Sequence, residues 1–150
     1  VCNVHFYQPP EMPAADLMSC GHTDPAILPF LKEELAKHGV YGFIAATKST
    51  GFIFNRIWAA IKRECLAVVA DGVSNAADID QMWMLNFGMT WGPFELMDKV
   101  GLDVVRDIEL HYLHERPGLP TNTIELLDGY IARGELGRKT GKGFYDYPAQ

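Results

Sequence analysis

The sequence predicts a mainly α-helical protein that opens with a short strand-helix-strand segment. Three observations carry this: Cys2 to Tyr7 alternate before Pro9-Pro10, apolar residues recur at spacings of three and four after Thr47, and glycine and proline divide that second stretch into pieces of helix length. Residues 1–46 are therefore expected to form the C-terminal end of an α/β domain, and residues 47–150 an all-helical second domain.

Each element has its own warrant. After the first strand, Thr23-Asp24-Pro25 combines an N-cap, an acidic residue and an early proline. Ile27, Phe30, Leu31 and Leu35 then share a helical face that stops at Gly39. Val40 to Ala46 is short and rich in strand formers. Ser49 or Thr50 is the expected cap of a long helix of roughly 30 Å, with Phe54, Ile57, Trp58, Ile61, Cys65, Val68 and Val69 as its apolar stripe and Gly72 as its stop. Ser74 or Asn75 begins the next helix, and Pro93 fits the first turn of a third that runs to Val100. Leu102 to His114 is a fourth, and Thr121 or Thr123 opens a fifth that runs to Gly134. The glycine-rich end, Gly134 to Gly143, reads as a loop.

Bulk properties exclude several classes. With 150 residues, 48% of them hydrophobic, the chain has enough apolar mass for a core. A net charge of -6 argues against a nucleic-acid partner, because phosphate binding requires clustered Lys and Arg. The most apolar stretch, Ile53 to Ile61, is interrupted by Asn55 and Arg56 and followed by Lys62, Arg63 and Glu64, too soon for a membrane span. Cys2, Cys20 and Cys65 are odd in number and widely spaced, so a reduced, intracellular, cytoplasmic setting is expected. His111, His114 and Glu115 lack the His-Glu-x-x-His order, so no metal is expected. Gly137 to Gly143 is not a Walker loop, since Lys142 precedes glycine instead of Ser or Thr.

Four segments carry more specific information: His5-Phe6-Tyr7-Gln8-Pro9, Gly51-Phe52-Ile53-Phe54-Asn55-Arg56, Trp91-Gly92-Pro93-Phe94-Glu95-Leu96-Met97-Asp98, and Gly141-Lys142-Gly143-Phe144-Tyr145. In this order they resemble the C-terminal part of 3-hydroxyacyl-CoA dehydrogenases, from about His5 to Tyr147. The resemblance implies that residues 1–46 end a Rossmann-type NAD-binding domain and that residues 47–150 form the helical substrate and dimerisation domain. It also implies an acyl-CoA substrate, NAD as cofactor, a place in fatty acid β-oxidation and a homodimer. No Gly-x-Gly-x-x-Gly occurs in the chain, which begins at Val1. A fragment of a longer enzyme, inactive alone and with NAD bound mainly by a preceding domain, is the expectation.

Oxidising a secondary alcohol requires a base for the hydroxyl proton, and histidine suits that role because its unperturbed pKa, about 6.5, lies near working pH. The family's His-Phe-Phe-Asn-Pro segment carries the catalytic histidine, which the resemblance assigns to His5. A later glutamate orients that histidine in the family. Here Asp16 stands eleven residues on, one residue and one methylene short of the pattern, with Glu11 as a rival. An asparagine in the first turn of an apolar helix must find polar partners. The resemblance places Asn55 beside the substrate, whereas Arg56 is expected to anchor the helix through a salt bridge. Two other readings stay open: a dehydrogenase of another 3-hydroxy acid, and a helical dimerisation module without catalysis.

Overall fold

A computed structural model describes residues 1–7 and 10–148, so Gln8 and Pro9 of the first motif lie outside the described residues. Contacts divide the chain into a unit over Val1–Trp58 and a second unit beginning at Ala59.

The first unit is built on a three-stranded sheet ordered β1-β2-β3, with β1 at Cys2–Phe6, β2 at Ala14–Ser19 and β3 at Tyr41–Ala45. The central strand β2 was not expected from the sequence. Its Ala14-Ala15-Asp16-Leu17-Met18 run lacks β-branched and aromatic residues and places an aspartate among buried positions, so neither propensity nor alternation marks it. It pairs antiparallel with β1 and parallel with β3. Helix α1, Ile27–Lys37, makes the crossover between β2 and β3. Leu28 is the buried residue of α1, and Phe30 of the expected stripe is 58% exposed.

Helix α2, Phe54–Ala70, spans 17 residues, or roughly 25 Å. The Ser49 side chain does not accept an amide at its start. The Ser49 hydroxyl donates to the Phe52 carbonyl at 2.8 Å, and the amides of Ile53 and Phe54 donate to the Asp16 carboxylate instead. The expected stripe is also corrected at this end, where Phe54 and Ile57 are exposed. Ala59, Lys62, Arg63, Cys65, Leu66 and Ala67 are the buried residues further along. Lys and Arg at core positions hide the true face from a pattern based on apolar residues.

In the second unit, α3 (Ala76–Phe87) starts at Asn75, whose side chain accepts the Asp78 amide at 3.0 Å. Pro93 opens α4 (Pro93–Val100), and α5 (Leu102–Glu115) and α6 (Asn122–Ala132) follow. Leu66, Phe94, Met97, Leu102, Val105 and Leu127 form its core. The closing segment packs onto that core, with the Phe144 ring 4.7 Å from that of Phe94 and 4.6 Å from that of Tyr130.

Two buried aspartates fix this unit. Asp80 accepts the amides of Phe94 and Glu95 at 2.8 and 2.9 Å and the Tyr145 hydroxyl at 2.8 Å. Asp98 accepts the amides of Phe144 and Tyr145, both at 3.0 Å, and the Tyr147 hydroxyl at 2.9 Å. A Cβ at Gly92 would fall inside the Asp80 carboxylate, and one at Gly143 inside that of Asp98. The glycines of both motifs are thus required for close approach.

Lys62, Arg63 and Glu109 form a buried charged group, with Arg63 Nε 2.7 Å from Glu109 Oε2. Burial pulls the Lys62 amine down to about 8; Glu109 opposes this and Arg63 adds to it. Below that value the fold holds a buried cation. Between about 8 and the ordinary 10.5, the folded protein releases a proton that the unfolded chain keeps, so the Lys62 contribution to stability rises across this window. Lys62→Met should therefore be more stable than the parent by roughly 1–3 kcal/mol near neutrality, and the gain should vanish as pH approaches 10.5. Urea unfolding of both proteins at the two ends of the window measures this.

Candidate active site

The site forms within the first unit, where β1 and β2 face the turn into α2. Antiparallel register sets His5 directly opposite Asp16, so both side chains stand on one face of the sheet. Tyr7, two residues after His5, returns to the same face, and its ring centroid lies 4.6 Å from that of His5.

The third component comes from the turn before α2. Gly51 and Phe52 both have positive φ, +75° and +55°, and Phe52 is the one non-glycine residue in this state among the described residues. A bulky residue there is strained. The turn sets the Phe52 ring 5.6 Å from the His5 ring and brings Asn55 Nδ2 to 3.4 Å from His5 Nε2.

Asp16 is 2% exposed. Its Oδ2 accepts the amides of Ile53 and Phe54, both at 3.3 Å, and the Tyr7 hydroxyl. A carboxylate at a helix start is favoured twice, by the free amides and by the helix dipole. The Tyr7 hydroxyl titrates above the ordinary tyrosine range because of burial, its hydrogen bond to Asp16 and the carboxylate charge, so it remains a donor.

His5 and Asn55 are brought together, and Asp16 adjoins them by register. Among the described residues, no hydrogen bond or ion pair joins Asp16 to His5, and His5 Nδ1 is buried without a hydrogen-bond partner. Glu11 is exposed in the loop, and no bond links it to His5 either. Arg56 makes no salt bridge among the described residues; its Nη1 donates to Ser49 Oγ at 3.3 Å, so the place of the expected ionic anchor is taken by a hydrogen bond to a neutral hydroxyl. Tyr7 and Phe52 are the site residues that sequence reasoning missed. The i, i+2 spacing from His5 was the available signal for Tyr7, whereas nothing local announces a left-handed phenylalanine. His111 Nε2 lies 3.4 Å from Glu115 Oε1, and no three metal-binding side chains cluster among the described residues. No helix of the described residues is long and apolar enough to cross a membrane.

Residues 51–147 match the family model of the 3-hydroxyacyl-CoA dehydrogenase C-terminal domain. The chain belongs to the 3-hydroxyacyl-CoA dehydrogenase family. It is 40% identical, over 97% of its length, to the 3-hydroxyacyl-CoA dehydrogenase-like protein LAM1 of Cochliobolus heterostrophus, and covers 31% of that protein. It is 37% identical, over 96% of its length, to a 3-hydroxybutyryl-CoA dehydrogenase of Bradyrhizobium diazoefficiens, and covers 49% of it. Among solved structures, the (S)-3-hydroxybutyryl-CoA dehydrogenase PaaH1 of Ralstonia eutropha superposes with a TM-score of 0.82 at 27% identity, over 99% of this chain and 52% of that one. The chain thus spans about half or less of the length of these relatives. The mainly helical fold behind a short sheet agrees with this membership.

Asp16→Ala would leave two helix amides and a buried hydroxyl without their acceptor. A loss of about 3 kcal/mol is expected from the cap and the unpaired groups together. Faster hydrogen exchange at the Ile53 and Phe54 amides than in the parent would locate that loss; unchanged exchange there would contradict the capping role.

Proposed function

We propose that this chain supplies the proton-handling and substrate-side part of an NAD-dependent 3-hydroxyacyl-CoA dehydrogenase, which interconverts an L-3-hydroxyacyl-CoA and the 3-oxoacyl-CoA. The observation that carries the reading is the meeting of His5 Nε2 and Asn55 Nδ2 at 3.4 Å, from elements fifty residues apart. When Nε2 carries the lone pair, the Asn55 amide donates to it and fixes the proton on Nδ1. A substrate hydroxyl entering between them can donate to the same lone pair while accepting from Asn55. His5 then takes the hydroxyl proton as general base, and returns it as general acid in the reverse direction. Asp16, on the same face of the sheet, places negative charge near the imidazolium that results.

NAD is the hydride acceptor implied by family membership. Its pyrophosphate requires free backbone amides at a strand-to-helix turn. At the crossover from β2 to α1, the Asp24 carboxylate already accepts the Ala26 amide at 2.9 Å, and a carboxylate there repels phosphate. These residues do not fit the dinucleotide. The chain alone is therefore expected to lack turnover.

The decisive experiment joins this chain to a dinucleotide-binding domain and follows acetoacetyl-CoA reduction by NADH. His5→Ala should lower turnover about 10²- to 10⁴-fold with NADH affinity nearly unchanged. Retained turnover would remove His5 from the site.

We also propose that the second unit associates as a homodimer. Helix α3 exposes Met82 at 62%, Leu85 at 76% and Phe87 at 66%, apolar surface suited to burial against a copy of itself. Sedimentation at micromolar concentration is expected to show a dimer, and Leu85→Glu to shift it toward monomer. A parent protein that sediments as a monomer ends this proposal.

A further inference from the structure

The least expected feature of the site is that its buried carboxylate is engaged elsewhere. Asp16 faces His5 across the strand pair, yet its Oδ2 serves Tyr7 and the start of α2, and His5 Nδ1 is left buried without a hydrogen-bond partner. The helix amides are backbone groups that any sequence at 53 and 54 would supply. The Tyr7 hydroxyl is different: it is a side-chain donor that a phenylalanine would lack. Its ring is held edge-on to Phe54 at 5.4 Å and tilted against His5 at 4.6 Å, so the hydroxyl has little freedom to leave Asp16.

We infer that Tyr7 is a positioning residue of this site, whose hydroxyl holds the Asp16 carboxylate on the start of α2, so that the His5 imidazole is oriented by Asn55 and the flanking rings of Tyr7 and Phe52 instead of by a carboxylate. Of the groups around the imidazole, Tyr7 and Asp16 titrate, and Asn55 and Phe52 do not. Tyr7 remains a hydroxyl donor throughout the range in which histidine titrates, because burial and the carboxylate both oppose its ionisation. With the hydroxyl present, Asp16 charge is shared among three donors and the imidazolium receives less of it. Without it, the carboxylate gains freedom to turn toward Nδ1, where an imidazolium N–H would meet it.

The inference rests on the reading of His5 as the acid-base group, but its test needs no turnover. In the 150-residue chain, the His5 ring signals can be assigned by their loss in His5→Gln and followed by NMR across the histidine range. Tyr7→Phe, which keeps the ring and its packing, should raise the midpoint of that titration by roughly one pH unit. Adding Asp16→Asn to Tyr7→Phe should cancel the rise, because no carboxylate then remains to turn. A midpoint unmoved or lowered in Tyr7→Phe, or a rise that survives Asp16→Asn, overturns the inference. Failure of the dehydrogenase reading would show separately, as absent turnover in the joined protein alongside an intact Tyr7-dependent titration.

Discussion

The first unit depends on one buried carboxylate. Asp16 lies on the central strand, in the interior of a sheet of only three strands, where an unpaired charge would be untenable. It is satisfied by two consecutive amides at the start of α2 and by the Tyr7 hydroxyl. Those bonds dictate where the turn of Gly51 and Phe52 must run. The turn reaches that position only by left-handed backbone at both residues, and the strain at Phe52 is tolerated because the carboxylate rewards the geometry that follows. Asn55 sits one residue beyond the bonded amides. Its approach to His5 is a consequence of how Asp16 anchors the helix.

The same device occurs twice more. Asp80 gathers the amides of Phe94 and Glu95 with the Tyr145 hydroxyl, and Asp98 gathers those of Phe144 and Tyr145 with the Tyr147 hydroxyl. In each case a buried carboxylate meets two successive backbone donors and one phenol, and all three donors are neutral. Desolvation raises the proton affinity of Asp98 while its three hydrogen bonds lower it, and burial is the larger effect. The motifs around Gly92 and Gly143 acquire a physical meaning from this. Their glycines leave room for a carboxylate, and the residues just after them, Phe94 and Glu95 in one and Phe144 and Tyr145 in the other, supply the amides that the carboxylate needs.

Much of this was legible in the sequence, and the parts that were not share a cause. Helices α3 and α4 are announced by Asn75 and Pro93, because caps and proline act within a few residues of where they stand. No local rule links His5 with Asn55, which stand fifty residues apart. Strand β2 escaped because its middle is an aspartate whose partners lie thirty-seven and thirty-eight residues away. The face of α2 was misassigned for a related reason: Lys62 and Arg63 are buried through Glu109, which belongs to α5. Apolar periodicity detects burial only where burial is apolar.

This distribution of carboxylates constrains the chemistry. A histidine base usually draws on a carboxylate for both orientation and charge, and the two functions can be separated. Here orientation comes from Asn55 and from the rings of Tyr7 and Phe52, which are fixed by the fold. The Asp16 charge acts on the imidazole only across the width of a strand pair, because its bonds are committed to the backbone of α2. The start of α2 therefore depends on a single side chain, and its removal would disturb that start directly. Measurements on Asp16 variants alone would confound this with any change in proton transfer. The hydroxyl of Tyr7 meets that carboxylate and also the Asn55 amide, so it ties the Asp16 anchor to the residue that faces His5.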